Sequence, residues 1–225
     1  MNQTIFIAGT DTDVGKTVVS RALLQAFNGR GISTIGYKPV AAGAEPTEQG
    51  LRNSDALYLQ QAASTKLDYK QVNPVVLTAP ASPHIAAKLD ATVIDCEVLS
   101  KQLAHHQQAA DLVLVEGAGG WYVPISDEDF LSSWVVTEKL PVVLVVGVKL
   151  GCLNHAMLTA QAIKNDGLQL IGWVANRVNP FEEHYREIIT FLEQNIDAPK
   201  IAEIPYVAGA LKKDLSQYID LDTII

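Results

Sequence analysis

The chain has few cysteines, few positive charges and no long apolar run, and each shortage excludes something. Its two cysteines, Cys96 and Cys152, form neither a metal-site spacing nor a disulfide framework. That excludes a disulfide-stapled secreted scaffold and fits a reducing compartment. Seventeen Lys and Arg stand against 25 Asp and Glu, a net charge of −8, with no basic cluster anywhere. Phosphate backbones are bound through such clusters, so no nucleic-acid partner is expected. The longest apolar run, Val142 to Val148, is far short of the about 20 residues of a membrane-spanning helix, and no membrane partner is expected. The opening Met1-Asn2-Gln3-Thr4 lacks the positive n-region of a signal peptide, which makes the cytoplasm the expected location. Repeats, low-complexity tracts and linkers are also lacking, so residues 1–225 are expected to form one domain.

What the chain does have is 48% apolar residues, enough for a substantial core at this length. Apolar runs alternate with helix-period segments. The pattern predicts strands at Thr4–Ala8, Ser33–Tyr37, Leu112–Val115, Val142–Val146, Leu170–Ala175 and Lys200–Ile204. Helices are predicted at Lys16–Phe27, Ser54–Ala62, Asp95–His106, Phe130–Glu138, Asn154–Asp166 and Phe181–Asn195. Residues 42–52 read as a polar loop, and a short helix fits the tail beyond Val207. Near-continuous Val, Ile and Leu runs suit strands buried on both faces. The alternation predicts an α/β fold, a mostly parallel sheet flanked by helices on both faces. Ligands of such sheets lie beyond the carboxyl ends of the strands.

The first predicted strand runs into GTDTDVGKT, Gly9 to Thr17, and then into a helix. Strand, glycine-bearing loop, Gly-Lys-Thr and helix spell a phosphate-binding loop. Backbone N–H groups and the dipole of the helix N-terminus favour an anion there. Gly15 allows close backbone approach, Lys16 can reach the β- and γ-phosphates, and the Thr17 hydroxyl can ligate Mg²⁺. The usual spacing puts four residues between the first glycine and Gly-Lys; here Thr10 to Val14 make five. Either Gly9 lies outside the ring of amides or the loop is one residue wider.

Each further candidate also follows a strand. Asp111 to Gly120 is an apolar strand ending in Glu116 and a glycine loop, the position of the second carboxylate in phosphate-loop enzymes. Lys38, in GYKPV, can stabilise charge on a transferring phosphoryl group. Asp55, after Asn53 and Ser54, reads from the residues as a helix first turn with a neighbouring cap. Gly147 to Asn154 makes a second helix N-terminus suited to a carboxylate, with Cys152 as small packing and His155 structural. Asn176 can pair with an adenine edge, and Asn176-Arg-Val-Asn179 lacks the acid of guanine readers, which favours ATP over GTP. His105 and His106 read as solvated surface; His84 and His184 have no role by spacing.

With these residues in view, the chain resembles the dethiobiotin synthetase family. The likeness runs nearly end to end, through GTDTDVGKT, GYKPVAAG, GLRNSDAL, SPHIAA, VEGAGGW, LPVVLVVGVKLGCLNHAMLTAQ, GWVANRV and EIPY. The extra loop residue is a mark of that family. The resemblance implies a homodimeric phosphate-loop fold that uses ATP and Mg²⁺ on 7,8-diaminononanoate and CO₂ or bicarbonate. It implies Thr17, Asp55 and Glu116 as Mg²⁺ ligands, against the helix-turn reading of Asp55, and Lys38 and Lys16 as the catalytic lysines. Thr12, Asp13, Val14, Gly15, Lys16, Thr17 and Val18 would hold phosphates, joined by Asp55, Glu116, Gly117, Ala118 and Gly119. Asn176 and Arg177 would hold the base, with Pro205, Tyr206 and Val207 as the nucleoside rim. Lys38, Ala42, Gly151, Cys152, Leu153 and Asn154 would bind the substrate, the last four taking its carboxylate near the dimer interface. Many relatives carry Ser at the position of Ala42, so this chain lacks one hydroxyl near the substrate.

The implied chemistry is a carbamate, formed from one amine and CO₂, that takes the γ-phosphoryl group and is then closed by the second amine. Its nucleophile is ionised beforehand, which agrees with a sequence rich in placed lysines and carboxylates but without an obvious His–Asp pair. Two rivals share the loop. A partner-driven NTPase switch would call for a membrane tail or partner segment, and none is evident. A cobyrinate amidase type would need a second, glutamine-hydrolysing domain, for which 225 residues leave no room.

Overall fold

A computed structural model describes residues 3–224. In chain order the elements are β1 (Gln3–Gly9), α1 (Lys16–Gly29), β2 (Thr34–Tyr37), β3 (Val40–Ala41), β4 (Glu45–Thr47), β5 (Gly50–Arg52), α2 (Ser54–Ala62), α3 (Tyr69–Val72), β6 (Val75–Val76) and α4 (Pro83–Leu89). Then come α5 (Cys96–Ala109), β7 (Leu112–Glu116), α6 (Leu131–Thr137), β8 (Val142–Gly147), α7 (Cys152–Asn165), β9 (Leu170–Asn176), α8 (Tyr185–Asn195) and β10 (Lys200–Ile204).

Six strands form the central sheet in the order β10-β9-β8-β1-β7-β2, and every pairing is parallel. Alternate side chains feed two cores. Ile5, Ile7, Leu112, Leu114, Val143 and Val145 pack with α1 residues such as Val19, Leu23 and Phe27. Phe6, Ala8, Val113, Val115, Leu144 and Trp173 pack on the other face with Leu99 and Leu103 of α5, Trp134 of α6 and Ala156 of α7. This two-sided burial is why the strands read as unbroken apolar runs.

The chain leaves β1 for β2, returns through β7, and then adds β8 on the opposite side of β1. That reversal opens a crevice at the carboxyl end of β1, where the Gly9–Lys16 loop begins. Four strands run one residue further than the apolar pattern predicts, and the added residues are Gly9, Glu116, Gly147 and Asn176. These residues sit on the ligand edge yet remain in the hydrogen-bond ladder.

Other differences have local causes. The segment 42–52 is not all loop: β4 and β5 pair as an antiparallel hairpin. The last helix starts at Tyr185, not Phe181, because the Asn179 side chain captures the Phe181 N–H at 3.0 Å after Pro180. The tail forms three 3₁₀ turns, Ala210–Lys212, Ser216–Tyr218 and Leu221–Thr223, rather than one helix. Helices α3 and α4 are too short to leave a periodic signal.

Candidate active site

Helix α1 opens at Gly15, which adopts the left-handed φ of 89°, and no side chain caps it. Its first N–H groups are therefore left for an anion. A Cβ on Gly15 would lie 2.0 Å from Asn176 Nδ2, and one on Gly147 would lie 2.9 Å from the Val14 backbone. Asn176 Nδ2 in turn donates to Val14 O at 2.8 Å. The ends of β8 and β9 thus press against the loop from below. Gly9 lies beneath the Lys16 ammonium, where a Cβ would come within 2.9 Å of it. Gly9 is still paired in the β1 ladder, so it packs under the loop from the strand end.

Two lysines converge on this loop. Lys16 Nζ donates to Asp11 O at 3.0 Å and to Gly119 O at 2.6 Å. Burial, helped by the neighbouring charge of Lys38, lowers its pKa to about 8. Lys38, at the end of β2, is 3% exposed and donates to Glu116 Oε1 at 2.8 Å, Gly117 O at 2.9 Å and Asp55 Oδ2 at 3.2 Å. Burial works against its charge, but the Glu116 and Asp55 carboxylates outweigh it and raise its pKa, so Lys38 stays an ammonium.

Three oxygen-bearing side chains meet beside the lysines. Glu116 is fully buried, and its Oε1 also accepts from the Thr17 hydroxyl at 3.0 Å. Its Oε2 is buried with no hydrogen-bond partner. Asp55 stands in the first turn of α2, and the cap is Asn53, whose Oδ1 accepts from Asp55 N at 3.0 Å. That leaves the Asp55 carboxylate free to face the site. Its burial raises its pKa, yet the charge of Lys38 and the Thr17 hydroxyl bring it below the ordinary value. Among the described residues no group of three or more His, Cys, Asp or Glu converges. A cation here would therefore draw ligands from phosphate and water besides Thr17, Asp55 and Glu116, as Mg²⁺ commonly does. Hard oxygen donors and an unpaired buried carboxylate oxygen fit that ion.

A cavity of about 730 Å³ opens above these groups. Thr12, Asp13, Gly15, Lys16, Thr17, Val18, Lys38, Ala42, Asp55, Ala118 and Gly119 line it, as do Pro80 to Pro83, which the strand-end argument missed. The SPHIAA string, with its Ser-Pro helix start, is the signal that marks that wall. Val14, Glu116 and Gly117 lie under the lining. Asn176 is turned to the loop backbone, and Arg177 donates to Pro180 O at 3.0 Å with its guanidinium over the Tyr185 ring. Neither these two nor Pro205, Tyr206, Val207, Gly151, Cys152, Leu153 and Asn154 border the cavity.

Helix α7 starts at Gly151, also left-handed and uncapped. Cys152 is 1% exposed, with burial raising its thiol pKa, as packing requires. Lys149 ties this turn to the phosphate loop through Asp11, at 3.4 Å. His106 corrects the surface reading: it is buried, its Nε2 lies 3.0 Å from Gln71 O, and its ring meets Tyr37 edge-on. The spacing Leu99, Leu103, His106 puts all three on the buried face of α5.

A family profile described as an AAA domain matches residues 3–212. The ATP-dependent dethiobiotin synthetase BioD of Vibrio parahaemolyticus is 62% identical over 225 residues, spanning 100% of this chain and 99% of the relative. The chain belongs to the dethiobiotin synthetase family. The same-named protein of Vibrio cholerae is 59% identical and is spanned over 97% of its length. Solved structures show the wider fold. The MinC:MinD cell division complex of Aquifex aeolicus aligns with a TM-score of 0.63 at 15% identity, covering 99% of this chain and 93% of that one. A ParA family ATPase of Chlorobium tepidum aligns with a TM-score of 0.60 at 15% identity, covering 99% and 92%. This chain thus shares its fold with these proteins, and the paired lysines described above are set at the strand ends of that fold.

Proposed function

We propose that the chain carboxylates 7,8-diaminononanoate with CO₂ and closes the ring at the expense of ATP, giving dethiobiotin, ADP and phosphate. The observation that carries this is full-length identity of 62% with a dethiobiotin synthetase. The site supports it: two buried lysines, one held charged by two carboxylates, stand at an uncapped helix N-terminus.

In this reading one amine of the diamine attacks CO₂ and loses a proton, leaving a carbamate. A carbamate oxygen attacks the γ-phosphorus and expels ADP. The second amine attacks the carbonyl of the mixed anhydride, closing the cyclic urea and releasing phosphate. Lys38 sits where it can stabilise the carbamate and the moving phosphoryl charge, and Lys16 leaves its carbonyl partners for the phosphates. Thr12 to Val18, with Ala118 and Gly119, cradle the phosphates. Thr17, Asp55 and Glu116 would hold Mg²⁺, which when bound neutralises charge on the β- and γ-phosphates. Asn176, Arg177 and Pro205 to Val207 border the nucleoside. The Gly151 to Asn154 turn takes the substrate carboxylate in a homodimer, with Ala42 facing the diamine. The chain acts as one domain in the cytoplasm; among the described residues no helix is long and apolar enough to cross a membrane.

Incubation with ATP, Mg²⁺, bicarbonate and 7,8-diaminononanoate, followed by mass spectrometry, tests the reading. Dethiobiotin formed in step with ADP is the expected result. ATP turnover without that product, or no turnover with the diamine present, would overturn it.

A further inference from the structure

A closed ring of hydrogen bonds runs from the backbone of Lys38 to the tip of its side chain. Asn73 Nδ2 donates to Lys38 O at 2.7 Å and to Val75 O at 3.0 Å. Its Oδ1 accepts from the Tyr69 hydroxyl at 3.0 Å. The Tyr69 oxygen accepts from the backbone N–H of Asn53 at 2.7 Å. The Asn53 side chain caps α2 and donates to Ala42 O at 3.1 Å. Asp55, two residues on, returns to Lys38 Nζ at 3.2 Å.

Lys38, Asn53, Tyr69 and Asn73 are all buried, and neither Tyr69 nor Asn73 lines the cavity. Between Lys38 and Asn53 the chain passes through the exposed β4–β5 hairpin, which cannot by itself fix α2 against β2. The body of α2 packs directly on β2 through Leu59 beside Gly36, and the Tyr69 hydroxyl links the α2 start to the Lys38 backbone through Asn73. Burial raises the phenol pKa, so the hydroxyl keeps the proton it donates to Asn73. The Arg52 guanidinium, 4.2 Å from the ring centre, closes the other side.

We propose that Tyr69 is a positioning residue for the reaction: its hydroxyl, through Asn73 and Asn53, sets the separation of Lys38 from Asp55. This rests on the roles given to those two side chains above. Without the hydroxyl, the Asn53 N–H and Asn73 Oδ1 are left buried and unpaired, and the α2 start must shift to satisfy them. Asp55 moves with it.

Tyr69→Phe keeps the ring and its contact with Arg52 and removes only the bridge. Its kcat falls about tenfold, and Mn²⁺ binding in the presence of a non-hydrolysable ATP analogue weakens about tenfold, the scale for losing a group that orients a ligand. Analogue binding without metal stays unchanged. Mn²⁺ affinity is read by paramagnetic resonance, which a general loss of stability does not move. Asn73→Asp, which sets an acceptor against the Lys38 carbonyl, carries the same expectation and decides the case if Tyr69→Phe does not accumulate. Rate and Mn²⁺ affinity both within about twofold of wild type would overturn the positioning role, whatever happens to the melting temperature. Wild-type protein assayed alongside separates the failures: dethiobiotin formed with Tyr69→Phe unaffected removes the role and leaves the function. Wild type that neither makes product nor binds Mn²⁺ overturns both.

Discussion

Helices α1 and α7 begin in the same way in different surroundings. Gly15 and Gly151 share a left-handed φ of 89°, and neither helix has a side-chain cap. A Cβ at Gly15 would strike Asn176 at 2.0 Å; at Gly151 it would meet nothing within 4 Å. The first start is packed from below, with two lysines and two carboxylates already converged. The second is open, and its neighbour Leu150 is 93% exposed. One site is finished by the monomer's own packing. The other is left open by it. Two left-handed, uncapped starts thus mark a packed site in one place and an open turn in the other.

The sharpest way to break this comparison is to empty the finished site. Lys16→Ala or Lys38→Ala should cut turnover at least about a hundredfold, the scale for losing one preorganised donor. Steady-state rates of dethiobiotin formation check this, and near-normal turnover would remove that lysine from the mechanism. Next, Gly15→Ala should weaken ATP binding by about tenfold or more, because left-handed strain of about 1–2 kcal/mol adds to the collision with Asn176. Gly151→Ala carries the strain alone; it should leave ATP binding within about twofold and act on the KM for the diamine. Calorimetry with ATP and kinetics with the diamine separate the two.

A pH titration sharpens the contrast further. Burial brings the Lys16 pKa to about 8 in the folded chain, against 10.5 in an unfolded one. Between those values the unfolded chain binds more protons, so this residue's contribution to stability rises with pH there. Phosphates favour the ammonium, so ATP affinity should fall as pH rises past about 8, and Lys16→Arg should flatten that fall. ATP titrations from about pH 7 to about pH 9.5 check both. The smallest effect belongs to Ala42. Ala42→Ser restores a hydroxyl worth about 0.5–1.5 kcal/mol, which should lower the KM for the diamine by between about twofold and tenfold.

Much of the finished site was legible because strand ends and the helix start carry it. Lys16, Thr17, Lys38 and Glu116 each follow an apolar run, and the parallel sheet brings such ends to one edge. What was illegible depends on contacts far apart in sequence. Asn176 points into the loop because Val14 lies 2.8 Å away, and no spacing announces that. His106 was read by its polarity, whereas the helical spacing from Leu99 and Leu103 decides its place. Tyr69 and Asn73 sit on or beside a four-residue helix, too short to register as an element at all.

The alternation of β7 between two cores also bears on how this chain can change length. Leu112 and Leu114 pack against one face, and Val113 and Val115 against the other. Inserting a single residue early in β7 would exchange the faces and push Glu116 past the ladder that pairs it with Ile7. The exposed β4–β5 turn could grow by several residues without that penalty. Viable length variants should therefore collect in the hairpin and be absent from the strands that end at the site.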